Sequence, residues 1–140
     1  MKRILFPLIG TAALVLAASA VAGAASPQSA TVVIRHQLQH CHAWAFNGAA
    51  FGAAAAGAVA KNGTVTVTNN DVMSHTLYQK SGPKAVLAGN PDMSHMGATV
   101  KVAFPKSGVY VFGTKAGEDY MKGVKTVGAD NVLTLTITVR

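Results

Sequence analysis

The histidines, the methionines and the single cysteine of this chain fall into short clusters: RHQLQHCHAW (35–44), VMSH (72–75), PDMSHM (91–96) and DYM (119–121). Apart from Met1, every methionine and every histidine lies in one of them. Imidazole, thiolate and thioether together are a donor set that suits copper, the last two favouring Cu(I). The carboxylates form no comparable set. Asp71, Asp92, Glu118, Asp119 and Asp130 read as turn residues, and neither H-x-x-E nor H-E-x-x-H occurs. There is no nucleophile motif and no phosphate-cradling glycine loop, so a hydrolase is a poor fit and no catalytic residue is assigned. The expectation is a binding protein, not an enzyme.

The cysteine sharpens this because of where the chain is expected to go. Met1-Lys2-Arg3 is a short basic start, Ile4 to Ala22 is apolar, and Ala22-Gly23-Ala24 is an A-x-A pattern followed by polar SPQS. Residues 1–25 therefore read as a secretory signal peptide, cleaved near Ala24 or Ala25. A retained anchor is the weaker alternative, since the run is Ala-rich and short for a spanning helix. The mature chain is then expected in the periplasm, the cell envelope or the medium, without stable membrane insertion. Exported proteins normally pair their cysteines, yet Cys41 is alone. A lone thiol outside the cytoplasm is a liability unless an intermolecular disulfide, an inert buried position or a metal accounts for it.

Residues 26–140 amount to about 115 residues, one domain, and they read as strands. Val32, Ile34, His36, Leu38 and His40 alternate with polar and smaller residues in TVVIRHQLQH (31–40), which is period two with histidines on the more apolar face. Asn62-Gly63 sits between alternating residues and predicts a hairpin. HTLYQK (75–80), TVKVAF (99–104), VYVFGT (109–114) and VLTLTITV (132–139) are further strands bounded by Gly, Pro and Ser. AAFGAAAAGAVA (49–60) has alanines that suit a helix and glycines that do not, so a loop with a turn of helix is expected there. About seven short strands in an antiparallel β-sandwich or barrel is the fold prediction.

NNDVMSHTL (69–77), following the strand TVTVTN, resembles the first-histidine segment of the cupredoxins, the blue-copper family of plastocyanin and azurin. Gly108-Val109-Tyr110-Val111-Phe112 and Met121-Lys122-Gly123, followed by Val124-Lys125-Thr126-Val127, resemble that family's closing strand and ligand loop. The resemblance covers Thr64 to Arg140 and, more loosely, Thr31 onward. It implies a Greek-key β-sandwich holding one copper ion, with His75 binding through Nδ1 and Met121 as a thioether. It also implies a cysteine and a second histidine between the two closing segments. Thr114 stands at the cysteine position, and KAGEDY (115–120) has no histidine. In the family's topology the loop after the first strand lies at the same end as these segments, and here that loop is HCHAW. The expected ligand set is therefore Cys41, His75, Met121 and either His36 or His42, with His40 structural.

One-electron transfer or copper carriage follows, through a redox or copper-transfer protein partner. A copper-free interaction module and a labile Met/His copper buffer using Met93, His95 and Met96 are the competing readings. Without Lys2 and Arg3 the net charge falls from +7 to +5, and the remaining basic residues are scattered. Scattered charge reads as solvated strand faces, not as a nucleic-acid surface, and the protein is expected to be a monomer.

Overall fold

The computed structural model describes residues 25–36, 42–116 and 133–140, and every structural statement below concerns those residues. The leader expected over residues 1–25 lies outside them but for Ala25. The described chain forms strands β1 (Ser29–His36), β2 (His42–Phe46), β3 (Ala54–Val59), β4 (Thr64–Asn70), β5 (His75–Ser81), β6 (Val86–Ala88), β7 (Asp92–Met93), β8 (Thr99–Ala103), β9 (Gly108–Ala116) and β10 (Thr134–Val139). They build two five-stranded sheets, ordered β2-β1-β4-β8-β6 and β3-β10-β9-β5-β7. Consecutive described strands lie in opposite sheets except for β1–β2 and β9–β10. This is the β-sandwich that the alternation predicts.

Alternation explains why. In TVTVTNN and TLTITV the threonines are half-buried while Val65, Val67, Leu135, Ile137 and Val139 are buried. β-Branched residues suit such a two-faced strand because their stiff side chains pack well across the pleat. Phe104, Tyr110 and Phe112 fill the middle, with Phe104 edge-on to Tyr110 at a centroid distance of 4.9 Å.

The strand count and the pairing differ from the expectation in specific places. Ten strands are described, and each sheet contains one parallel pair: β1 with β4, and β10 with β3. The second pair involves the Ala-rich stretch expected as a loop. Ala54–Val59 runs in register beside Thr134–Val139 instead, so sheet pairing overrides the weak local preference. Gly57 is needed there, because a Cβ on it would lie 2.2 Å from the Phe46 ring. The tight turn at Asn62, with φ of 63°, exists as expected but joins opposite sheets. Lys61 N–H donates to the Arg140 carbonyl beyond β10, and Asn62 N–H to the Phe104 carbonyl beyond β8. Each side of the turn is thus fastened to a different sheet, which makes it a corner and not a hairpin. Finally, His42-Ala43-Trp44 is not loop but the start of β2, with His36 opposite His42 in the antiparallel register.

β5 leaves its partner through a bulge at Gln79/Ser81 and then Gly82 at φ 100°. A Cβ on Gly82 would meet the Val109 carbonyl oxygen at 2.3 Å and Tyr110 Cα at 2.9 Å, both backbone atoms. Gly82→Ala combines a strained φ with a clash that no rotamer relieves. It should cost about 3 kcal/mol of unfolding free energy, read from the denaturant midpoint.

Candidate metal centre

β4 is followed directly by the segment that returns in the other sheet as β5. From Val65 to Leu77 the odd-numbered residues are all buried and the even ones are not, without a break at the change of sheet. The inward series is therefore Val65, Val67, Asn69, Asp71, Met73, His75 and Leu77. Past the two valines, Asn69, Asp71 and His75 of this series bring polar groups into the space between the sheets.

Asn69 holds the segment in shape. Its side-chain amide donates to the Met73 carbonyl (2.7 Å) and the Met93 carbonyl (2.9 Å), and its Oδ1 accepts Asp71 N–H (2.9 Å). Its backbone donates to the Ala98 carbonyl and accepts Gly97 N–H. Asp71 repeats the device one step on, its Oδ1 accepting Met73 N–H at 3.1 Å. Short side chains of this kind turn a chain by bonding backbone two residues ahead.

The other Asp71 oxygen faces two imidazoles. Oδ2 lies 2.8 Å from His42 Nδ1 and 3.3 Å from His75 Nε2. Asp71, His42 and His75 are all buried, and the two rings stand nearly perpendicular with centroids 4.8 Å apart. His36 is at the rim. Its side chain is 41% exposed, and its Nδ1 is 3.9 Å from Asp71 Oδ1, too far for a hydrogen bond. His36, His42 and Asp71 can each offer a ligand atom within 4.8 Å of the others.

Burial pushes the Asp71 carboxyl upward, but hydrogen bonds from His42, Met73 N–H and His75 outweigh it and hold the group below 3.8, its usual value. Burial also holds His75 below the usual imidazole value of 6.5, against the opposing hydrogen bond to Asp71 and with the help of the neighbouring His42. An ionised carboxylate only accepts, so a nitrogen facing it carries the proton. The remaining nitrogens, His42 Nε2 and His75 Nδ1, are buried and have no hydrogen-bond partner among the described residues. Unpartnered buried polar atoms are rare and call for an explanation. A soft or borderline cation that favours imidazole is one that fits.

Among the residues singled out from the sequence, His36, His42 and His75 are brought to one place, His36 at the surface and the other two inside. Cys41 and Met121 lie outside the described residues, as does His40. Thr114 is buried with its hydroxyl unpartnered among the described residues. Met93 belongs to the core while His95 and Met96 are exposed, so PDMSHM does not gather its donors at one point. Asp71 is the residue that sequence reasoning missed. Reading Val65, Val67 and Asn69 as inward predicts an inward Asp71 by parity alone.

No family model and no curated protein matches the chain. Among solved structures, it is similar to the reduced Cu(I) form of an amicyanin variant, with a TM-score of 0.44 and 15% identity over 87% of this chain and 88% of that one. It is similar to the copper protein rusticyanin, with a TM-score of 0.38 and 18% identity over 82% and 80%. A cysteine protease inhibitor from Entamoeba histolytica scores alike, with a TM-score of 0.42 and 11% identity over 81% and 99%. Likeness at this level carries no functional argument, and the function rests on the side chains.

The Asn69 clamp and the buried charges make separate predictions. Asn69→Ala strands two carbonyls and one N–H in the interior and should cost roughly 3 kcal/mol, at about 1–3 kcal/mol per unpaired group. The exposed neighbour Asn70→Ala should stay within about 0.5 kcal/mol by chemical denaturation. For the metal-free protein, acidification should destabilise in two windows. Below 6.5 the unfolded chain takes up a proton that folded His75 refuses, and below 3.8 the unfolded Asp71 protonates while the folded one stays ionised. Both contributions are complete above those values and are lost as pH falls. Denaturant midpoints from about pH 8 to about pH 3 read the two windows; stability that rose below 6.5 would contradict the assignment.

Proposed function

We propose that the chain binds one copper ion at the His42/His75 end of the sandwich and acts outside the cytoplasm as a one-electron carrier, not as an enzyme. The observation that carries this is the pair of buried nitrogens, His42 Nε2 and His75 Nδ1, that have no hydrogen-bond partner among the described residues. Both imidazoles have their other nitrogen on Asp71, so they are oriented, and their ring separation of 4.8 Å suits two ligands with bonds of about 2 Å. The chain's resemblance to the blue-copper family at His75 supports the choice of Nδ1 there. Cys41 directly precedes His42 in the sequence. We assign the thiolate to it and the thioether to Met121.

Copper would supply the one-electron couple. The protein's share is to keep the donors in one arrangement in both oxidation states, and the Asn69 and Asp71 hydrogen bonds do this from within the fold. Water is excluded from both imidazoles, since His42 and His75 are at most 1% exposed. His36, at the rim, gives an ion an exposed imidazole to meet first. Export through the leader, a monomeric state and a protein redox partner complete the reading. Copper carriage would use the same residues with faster exchange.

Titration of the purified mature domain with Cu(II) tests it. Stoichiometric binding with an intense visible thiolate-to-copper band is expected, the band disappearing in Cys41→Ser and binding weakening at least about tenfold in His42→Ala and His75→Ala. Binding with only faint colour would remove Cys41 from the ligand set. No binding to the folded domain would leave a copper-free interaction module.

A further inference from the structure

The carboxylate of Asp71 touches both imidazoles assigned above, each through a different ring nitrogen. It meets His42 at Nδ1 and His75 at Nε2. A free neutral imidazole in water exchanges its proton between the two nitrogens. Buried against an acceptor that has no proton to give, each ring is confined to one tautomer, and the two rings are confined to opposite ones. The lone pair of His42 is then on Nε2 and that of His75 on Nδ1, the two atoms left unpartnered. We propose that Asp71 is a positioning residue of the copper site: it fixes which nitrogen of each histidine binds the metal and, through its charge, biases the site toward Cu(II).

The inference rests on the copper reading for its second half only. A cation on the Asp71 side of the rings, shared by His36, His42 and the carboxylate itself, is the competing arrangement. It would have to displace the protons from His42 Nδ1 and, to include His75, from its Nε2, leaving the already bare nitrogens unpaired inside the protein. A cation on the far side uses the free lone pairs and leaves every Asp71 hydrogen bond intact. Outer hydrogen bonds from ligating histidines to carboxylates orient the ring and make it a stronger donor. A full negative charge one imidazole away from the ion also stabilises a doubly charged metal more than a singly charged one, with little solvent between to screen it. Neither effect requires Asp71 to touch the metal.

Asp71 has the rigidity such a role needs. Its backbone N–H is held by Asn69 and its Oδ1 by Met73 N–H, which leaves Oδ2 for the two rings. Asn at this position keeps the shape and one acceptor oxygen but removes the charge, and its NH2 group cannot accept. It therefore separates charge from geometry better than Ala does.

The test has two parts. The first uses metal-free protein: long-range proton–nitrogen NMR correlations should show the proton on Nδ1 of His42 and on Nε2 of His75 in the wild type. They should show mixed tautomers in Asp71→Asn. The opposite tautomer of either ring in the wild type overturns the inference whether or not copper binds. The second uses Cu(I)-loaded protein, which is diamagnetic. The same two protons should persist on loading, and their loss would make Asp71 a ligand or place the ion on its side, overturning the positioning role. In Asp71→Asn the ratio of Cu(II) to Cu(I) affinity should fall about tenfold, which raises the reduction potential by about 59 mV. Equal loss for both oxidation states, with an unchanged potential, would reduce Asp71 to a purely structural part. Failure of copper binding with the expected tautomers in the metal-free protein would count against the copper reading, not against the tautomers.

Discussion

A buried carboxylate governs this end of the molecule. Asp71 is fully enclosed, and an ion in such a place is tolerated only where hydrogen bonds replace the water it has lost. The fold provides three of them: Met73 N–H on one oxygen, His42 and His75 on the other. Each donor comes from a different piece of chain, namely the turn after β4, the start of β2 and the start of β5. Removing any one would leave the charge under-compensated, so the carboxylate links the two sheets at this corner. The histidines are there for the carboxylate as much as the carboxylate for them.

That arrangement depends in turn on Asn69, whose amide reaches the carbonyls of Met73 and Met93. Its backbone also bonds Gly97 and Ala98, so one residue fastens the turn after β4 to β7 and to the connection between β7 and β8. The hydrogen bonds that hold the site are made within the protein and not with water. His36 stands out as the one histidine of the cluster left partly in solvent.

Much of the scaffold could be read from alternation, because a period of two fixes which face each residue takes whatever it pairs with. The strands at 75–80, 99–104, 109–114 and 132–139 appear close to where they were expected, and His36, His42 and His75 do come together. Pairing was less legible. Nothing local to Ala54–Val59 says that it will lie parallel to β10, since the partner is some eighty residues away and the fit turns on Gly57 leaving room for Phe46. The Asn62-Gly63 turn was visible but not its use as a corner, which is decided by bonds to Arg140 and Phe104. Asp71 does lie in the turn after β4, but turns usually expose their charges and this one buries it. The inward parity that runs through Val65, Val67 and Asn69 would have outweighed that habit.

An orphaned nitrogen is tolerable here because its cost is local. A buried polar atom without a partner costs about 1–3 kcal/mol, and among the described residues His42 Nε2 and His75 Nδ1 have none. Losses of that size are a large fraction of a small domain's net stability. They are confined to one corner, while the inward Val, Ile, Leu and aromatic side chains of β1, β4, β8, β9 and β10 form an enclosed core. A ligand that satisfies the two nitrogens returns that free energy on binding and stabilises the folded state in proportion to its affinity. The site is thus under-satisfied by itself in a way that favours whichever cation can use two imidazoles held at a right angle. The neighbouring negative charge selects for positive charge over any neutral guest.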